Sequence, residues 1–186
     1  HSVITIREAE ELIRVVDLKG VTPLVRLSSN NPEQIKRVMD AGAHGVIVPM
    51  VNTPEAAAAA VGAVKYPPTG KRSFGLARAQ KYGGGFSGYL DWQQENTIVV
   101  VQIEHIEAVN NLESIFSVPG VDAYFVGPYD LSGSLGLPGQ FEHPKMLDAM
   151  QRIRKIAEDK GMPGGLHVVE PDKILLRKSI EDGYSF

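Results

Sequence analysis

Two acidic residues close apolar runs of strand length. Glu104 ends Val99-Val100-Val101-Gln102-Ile103-Glu104, and Asp130 ends Ala123-Tyr124-Phe125-Val126-Gly127-Pro128-Tyr129-Asp130. Each run is followed by sequence that reads as helix or turn, so two strands of one parallel sheet would deliver both carboxylates to the same rim. In a barrel that rim is the C-terminal face, where chemistry is sited. Two oxygen ligands there suit a hard divalent cation whose remaining positions go to water or substrate. A third apolar run, over 21–27, carries Arg26 near its C-terminal end. A lone strand-end carboxylate is more often a cap or a surface ion pair, and a lone arginine a salt-bridge partner. The combination of Glu104, Asp130 and Arg26 favours a chemical role.

The elements that would position these residues follow an even rhythm. Thr5-x-x-Glu8 has the form of a capping box and opens a helix whose face is Ile6, Ala9, Leu12, Ile13 and Val16, with Gly20 as its stop. Asn31-Pro32-Glu33-Gln34 opens a second helix to about Ala41, and the run 46–50 is a strand. Thr53-Pro54-Glu55 repeats the cap signature before an Ala-rich helix over 55–64. Strands over 97–104, 121–127 and 164–169 follow, with a short helical stretch over 108–116, a turn of helix at 130–132, and helices over 146–160 and 172–180. Strand and helix alternate, which argues for parallel βα units. Residues 183–186 read as the start of one more strand.

The stretch 65–96 breaks the rhythm with Pro67-Pro68, Gly70, Gly75 and Gly83-Gly84-Gly85. It reads as a long loop over the site or at a subunit contact. Arg72 and Arg78 within it either bind the distal part of a substrate or pin the loop. Tyr82, Phe86, Tyr89 and Trp92 are expected to pack the loop or an interface.

The fold expected is α/β, a (β/α)8 TIM barrel. Such barrels take about 250 residues, so a chain of 186 residues is expected to cover the middle of one, as a single domain over 1–186 that lacks the first strands and the last strand and helix. A smaller open doubly wound sheet is the alternative. The net charge of -3, without a basic block, gives no electrostatic reason to expect nucleic acid or an anionic membrane as partner. The chain contains no cysteine, which removes thiolate nucleophiles and sulfur-ligated zinc and agrees with a cytoplasmic protein. No apolar run approaches the length needed to span a membrane.

With Arg26, Glu104 and Asp130 placed, the chain resembles the HpcH/HpaI aldolase family of divalent-metal-dependent pyruvate aldolases. The likeness runs through His1-Ser2, Pro23-Leu24-Val25-Arg26, Val48-Pro49-Met50-Val51, Tyr66-Pro67-Pro68-x-Gly70-x-Arg72, Ala77-Arg78-Ala79, Val101-Gln102-Ile103-Glu104 and Gly127-Pro128-Tyr129-Asp130-Leu131-Ser132. Each motif is weak alone; their order and spacing are specific. The resemblance implies that Glu104 and Asp130 are metal ligands, for Mg2+, Mn2+ or Co2+. It implies that Arg26 binds the keto acid oxygens and that His1 acts with water as acid and base. Gln102 would lie near the metal, and the backbone amides of Tyr129 and Asp130 would cradle the substrate carboxylate. A homo-oligomer, trimer or hexamer, is also implied.

The reaction so implied is reversible cleavage of a 4-hydroxy-2-oxo acid, such as a 2-keto-3-deoxy sugar acid, to pyruvate and an aldehyde through a pyruvate enolate. Arg26 has the fixed charge to stabilise an oxyanion, and histidine has the pKa for a base near neutrality. A lysine Schiff base is the rival route, but none of the expected strands ends in lysine, and Lys65, Lys71 and Lys81 fall in loop-like sequence. Related enzymes that use the same enolate chemistry, among them acyl-CoA lyases, a citrate synthase and a decarboxylating cyclase, form the second reading; a non-catalytic barrel that binds a small acid is the third. His44, His105 and His143 are expected to be surface or packing residues, whereas His167, near a strand end, is a further candidate to face the site.

Overall fold

The computed structural model describes residues 3–168 and 172–186. The chain groups into two compact units, His1–Val48 with Ala58–Val99, and Pro49–Ala57 with Val100–Phe186. Helices and parallel strands alternate in both, so the α/β architecture read from the sequence is observed.

The first unit begins with α1 (Ile6–Leu18). Its capping box is formed: Glu8 N–H donates to Thr5 Oγ1 at 3.4 Å, and Thr5 N–H donates to Glu8 Oε2 at 2.7 Å. Strand β1 (Leu24–Arg26) pairs in parallel with β2 (Gly45–Val48), Val25 opposite Val46 and Arg26 opposite Ile47. Between them runs α2 (Pro32–Asp40), whose first turn is closed by Asn31 accepting from Gln34 N–H at 3.0 Å. Ile35, Val38 and Met39 of α2 are buried. Strand β1 is shorter than the expected 21–27 because Pro23 has no N–H to donate to a ladder.

Helix α3 (Pro54–Val64) starts at the proline of its cap signature, and Ala56 N–H donates to Thr53 Oγ1 at 3.2 Å. The stretch expected to be one long loop is partly helical. A short 3-10 turn at Lys81–Gly83 leads into α4 (Phe86–Asn96), whose buried face carries Tyr89 and Gln93. Tyr89 stacks on Trp92 at 5.7 Å, and Phe74 meets Phe86 edge-on at 5.6 Å, so these aromatics pack the segment onto itself. Both arginines are structural pins. Arg72 is 2% exposed, lies 4.0 Å from the Tyr66 ring centroid and donates to Tyr89 Oη at 3.0 Å. Arg78 pairs with Asp17 at 2.6 Å and donates to the Ala41 carbonyl at 3.2 Å.

Strand β3 (Ile98–Ile103) opens in the first unit, where Ile98 N–H donates to the His44 carbonyl at 3.0 Å. Its later residues begin the second unit and pair in parallel with β4 (Ala123–Val126), Gln102 opposite Phe125 and Ile103 opposite Val126. The uninterrupted valines of β3 suit a strand covered on both faces. The stretch expected as one helix over 108–116 is two short ones, α5 (Ile106–Asn110) and α6 (Leu112–Phe116). Helix α7 (Pro128–Ser134) follows β4 directly, two residues earlier than expected, because Pro128 suits a first helical turn.

Helix α8 (Pro144–Lys160) buries Met146, Ala149, Ile153 and Ala157 and packs on α5 and α6. It ends at Gly161 with φ 62°, the left-handed turn that glycine enters without penalty. Strand β5 (Gly164–Leu166) pairs with β4, and α9 (Lys173–Glu181) is capped by Asp172. Beside β5, Ser185 N–H donates to the Gly164 carbonyl at 2.8 Å and Leu166 N–H donates to the Phe186 carbonyl at 3.1 Å. This ladder is what the sequence reading of 183–186 as the start of a strand requires. No helix among the described residues is long and apolar enough to cross a membrane.

Candidate functional site

Glu104 follows β3 immediately and shares a strand face with Gln102, since residues two apart point the same way. Its side chain is 2% exposed. A carboxylate so far from water needs donors, and the second unit supplies them from two directions. Met50 N–H donates to Glu104 Oε1 at 2.8 Å, and Gln102 Nε2 donates to Oε2 at 2.6 Å. Gln102 is itself buried at 5% exposure, so the pair helps hold the carboxylate in one orientation.

The third side of Glu104 is Gly127. A Cβ built on Gly127 would lie 2.9 Å from Gln102 Nε2, 2.9 Å from Glu104 Oε2 and 3.0 Å from Glu104 Cβ. The β3–β4 register brings them together: Ile103 faces Val126, and Gly127 N–H donates to the Ile103 carbonyl at 3.2 Å. Three residues on, Asp130 stands exposed in the first turn of α7, next to half-exposed Tyr129. The N–H groups of Tyr129 and Asp130 fall in that first turn, where a helix offers no internal acceptor and favours an anion.

Gln102 and Glu104 at the end of β3, and Tyr129 and Asp130 in the helix after β4, therefore follow two paired strands of the second unit. Arg26 ends β1 in the first unit, half-buried, and lines a cavity of about 610 Å3 with Ile13, Val16, Leu27 and Gln34. His1, the expected acid and base, lies outside the described residues.

The buried, hydrogen-bonded carboxylate of Glu104 and the exposed one of Asp130 are both oxygen donors. Such donors fit a hard divalent cation which keeps places for substrate or water. Among the described residues no group of three or more His, Cys, Asp or Glu side chains gathers into a closed cage. Two protein carboxylates are what an open site of this kind offers.

His44, His105 and His143 have structural duties. His105 and His143 cap α5 and α8, their Nδ1 atoms accepting from Glu107 N–H at 3.1 Å and Lys145 N–H at 3.2 Å. His44 meets Trp92 edge-on at 4.7 Å. Burial is the main cause holding its pKa below the ordinary value of 6.5; Asp17 opposes the shift and Arg78 adds to it. His167 is exposed beside Phe125 and lines a cavity of about 560 Å3 with Tyr129, Phe141 and Met146.

Three supporting residues escape a reading by residue type. Met50 acts through its backbone and Gly127 through the atoms it lacks. Lys65, which looks like a loop lysine, is 7% exposed, and its Nζ donates to the carbonyls of Gln93 at 3.1 Å, Gln94 at 2.9 Å and Thr97 at 3.4 Å. Its ammonium is committed to the C-terminal end of α4.

The chain is similar to known proteins over nearly its whole length. The sequence model of the HpcH/HpaI aldolase/citrate lyase family matches residues 1–184. A hydroxypyruvate/pyruvate aldolase of Sagittula stellata is 40% identical across 100% of this chain and 73% of its own length. A 2-dehydro-3,6-dideoxy-6-sulfogluconate aldolase of Pseudomonas putida is 39% identical across 100% of this chain and 72% of its own. The crystal structure of a HpcH/HpaI aldolase/citrate lyase family protein from Burkholderia cenocepacia superposes with a TM-score of 0.90 at 33% identity, covering 97% of this chain and 72% of that one. The chain belongs to the HpcH/HpaI aldolase/citrate lyase family.

Proposed function

We propose that the chain is the catalytic portion of a divalent-metal-dependent pyruvate aldolase, a lyase that reversibly cleaves a 4-hydroxy-2-oxo acid into pyruvate and an aldehyde. The observation that carries this reading is the buried carboxylate of Glu104, held by Met50 N–H and Gln102 Nε2 beside the turn that bears Asp130. The 40% and 39% identical relatives named as aldolases support it.

Glu104 and Asp130 would hold the cation. A bound divalent cation draws electron density from a keto acid and so stabilises negative charge on the keto oxygen. The chain's own groups do the rest. The amides of Tyr129 and Asp130 bind the substrate carboxylate, and Gln102 keeps Glu104 oriented. In the cleavage direction a base takes the proton of the 4-hydroxyl, the C3–C4 bond breaks, and the aldehyde departs. The bonding electrons remain as the pyruvate enolate, whose C3 then takes a proton. Arg26 supplies the guanidinium that stabilises the enolate oxygen, and His1 acting with water is the base.

The same reading carries a (β/α)8 barrel as the fold, within one domain, and a cytoplasmic homo-oligomer as the working form. Parallel strands alternating with helices and the ladder from 183–186 to β5 support the barrel. The test is aldehyde release from a panel of 4-hydroxy-2-oxo acids with Mn2+ or Mg2+ present. Cleavage that needs metal and falls in Glu104→Gln and Asp130→Asn by more than the roughly 100-fold cost of losing a supporting partner is expected. Cleavage that persists in both variants would contradict the assignment.

A further inference from the structure

Met50 has φ 52°, a left-handed conformation that a residue with a side chain rarely adopts. It follows Pro49 directly, and this bend is why β2 stops at Val48 although the apolar run continues through Val51. The Met50 side chain is half-exposed, so packing does not account for the conformation. Its backbone does: with the chain turned this way, Met50 N–H donates to Glu104 Oε1 at 2.8 Å.

The segment that follows is anchored. Asn111 Nδ2 donates to the Asn52 carbonyl at 2.8 Å, and Thr53 Oγ1 receives Ala56 N–H at the head of α3. Val51, between Met50 and Asn52, is fully buried. Strain of this kind persists where surrounding structure over-determines it, and it gathers at functional sites.

We infer that Met50 is a positioning residue whose left-handed backbone sets the orientation of the Glu104 carboxylate, and through it the affinity for the divalent cation. The inference rests on the reading of Glu104 as a metal ligand. One oxygen of Glu104 is fixed by an amide whose direction depends on φ at position 50, and the other by Gln102. Losing the amide removes one of the contacts that set the direction of the carboxylate. The side chain at position 50 matters only through the backbone angles it permits.

That gives an ordering by conformational preference, independent of side-chain size. Glycine enters the left-handed region freely and asparagine tolerates it, whereas β-branched residues resist it. The experiment is Mn2+ binding without substrate, followed by electron paramagnetic resonance, for the wild-type chain, Glu104→Gln, Met50→Gly, Met50→Asn, Met50→Val and Met50→Ile, with circular dichroism to verify folding.

The wild-type chain is expected to bind Mn2+ and Glu104→Gln to lose binding. Met50→Gly and Met50→Asn should stay within about threefold of wild type, while folded Met50→Val and Met50→Ile should weaken roughly 10–100-fold, the range for partners that orient a metal ligand. Equal binding by all four position-50 variants, or loss in Met50→Gly with retention in Met50→Ile, would overturn the inference and leave the metal assignment standing. A wild-type chain that binds no Mn2+, or binding indifferent to Glu104→Gln, would overturn the metal assignment and this inference with it.

Discussion

Gly127 approaches Glu104 so closely that a methyl group on its Cα would lie 2.9 Å from Glu104 Oε2 and 3.0 Å from Glu104 Cβ. The backbone at Gly127 is ordinary, with φ -104°, so alanine is excluded there by the carboxylate and not by the main chain. Oε2 of Glu104 and Nε2 of Gln102 are the far ends of side chains and can move aside, while the Glu104 Cβ at 3.0 Å requires a backbone shift of a few tenths of an ångström. Gly127→Ala is therefore expected to fold, to displace the Glu104–Gln102 pair, and to weaken divalent-metal binding by roughly 10–100-fold. Titration calorimetry with Mn2+ alongside thermal melting separates this outcome from unfolding.

Lys65 provides a check on the rejected Schiff-base route. Its Nζ serves the carbonyls at the end of α4. Lys65→Met retains much of the side-chain volume and removes the charged donor. The expected result is a loss of stability of about 2 kcal/mol, the scale of a hydrogen bond from a charged group, seen as a lower urea midpoint. Catalysis per folded molecule should change little. Borohydride with pyruvate should leave the wild-type enzyme active, since no imine would form at this lysine.

How far the sequence alone reveals the site depends on whether residue type or conformation does the work. Glu104 and Asp130 are legible because each closes an apolar run, and Gln102 because it sits two residues before Glu104. Met50 is not, since Val46-Ile47-Val48-Pro49-Met50-Val51 reads as one apolar run and nothing in a methionine announces a left-handed angle. Helix α4 was hidden by Gly83-Gly84-Gly85 and Gly88, whose types suggest loop, while its buried face rests on tertiary contacts of Tyr89 and Gln93. The roles of Arg72 and Arg78 were likewise undecidable from spacing. Their partners Tyr89 and Asp17 stand 17 and 61 positions away in the chain.

His44 offers a pH-dependent signal. Burial, the main cause, holds its folded pKa below the ordinary 6.5, so folding favours the neutral imidazole. At a pH below both values the unfolded state no longer gains relative protons, but between them the unfolded chain binds more. Stability from this group is thus fully present above pH 6.5 and is lost as pH falls through the folded pKa. Trp92 is the chain's single tryptophan and lies 4.7 Å from the His44 ring, so protonation should quench its emission on the acid side. His44→Gln is expected to flatten both the fluorescence titration and the fall in stability over that window.

The central claim is that Glu104 and Asp130 support a pyruvate enolate, and the most direct measurement is exchange of the pyruvate methyl protons in deuterated water, followed by NMR. Exchange is expected to require added divalent metal, to stop with chelator and to be abolished in Glu104→Ala and Asp130→Ala. Exchange that continues in chelator, or no exchange with any metal in a folded protein, would contradict it.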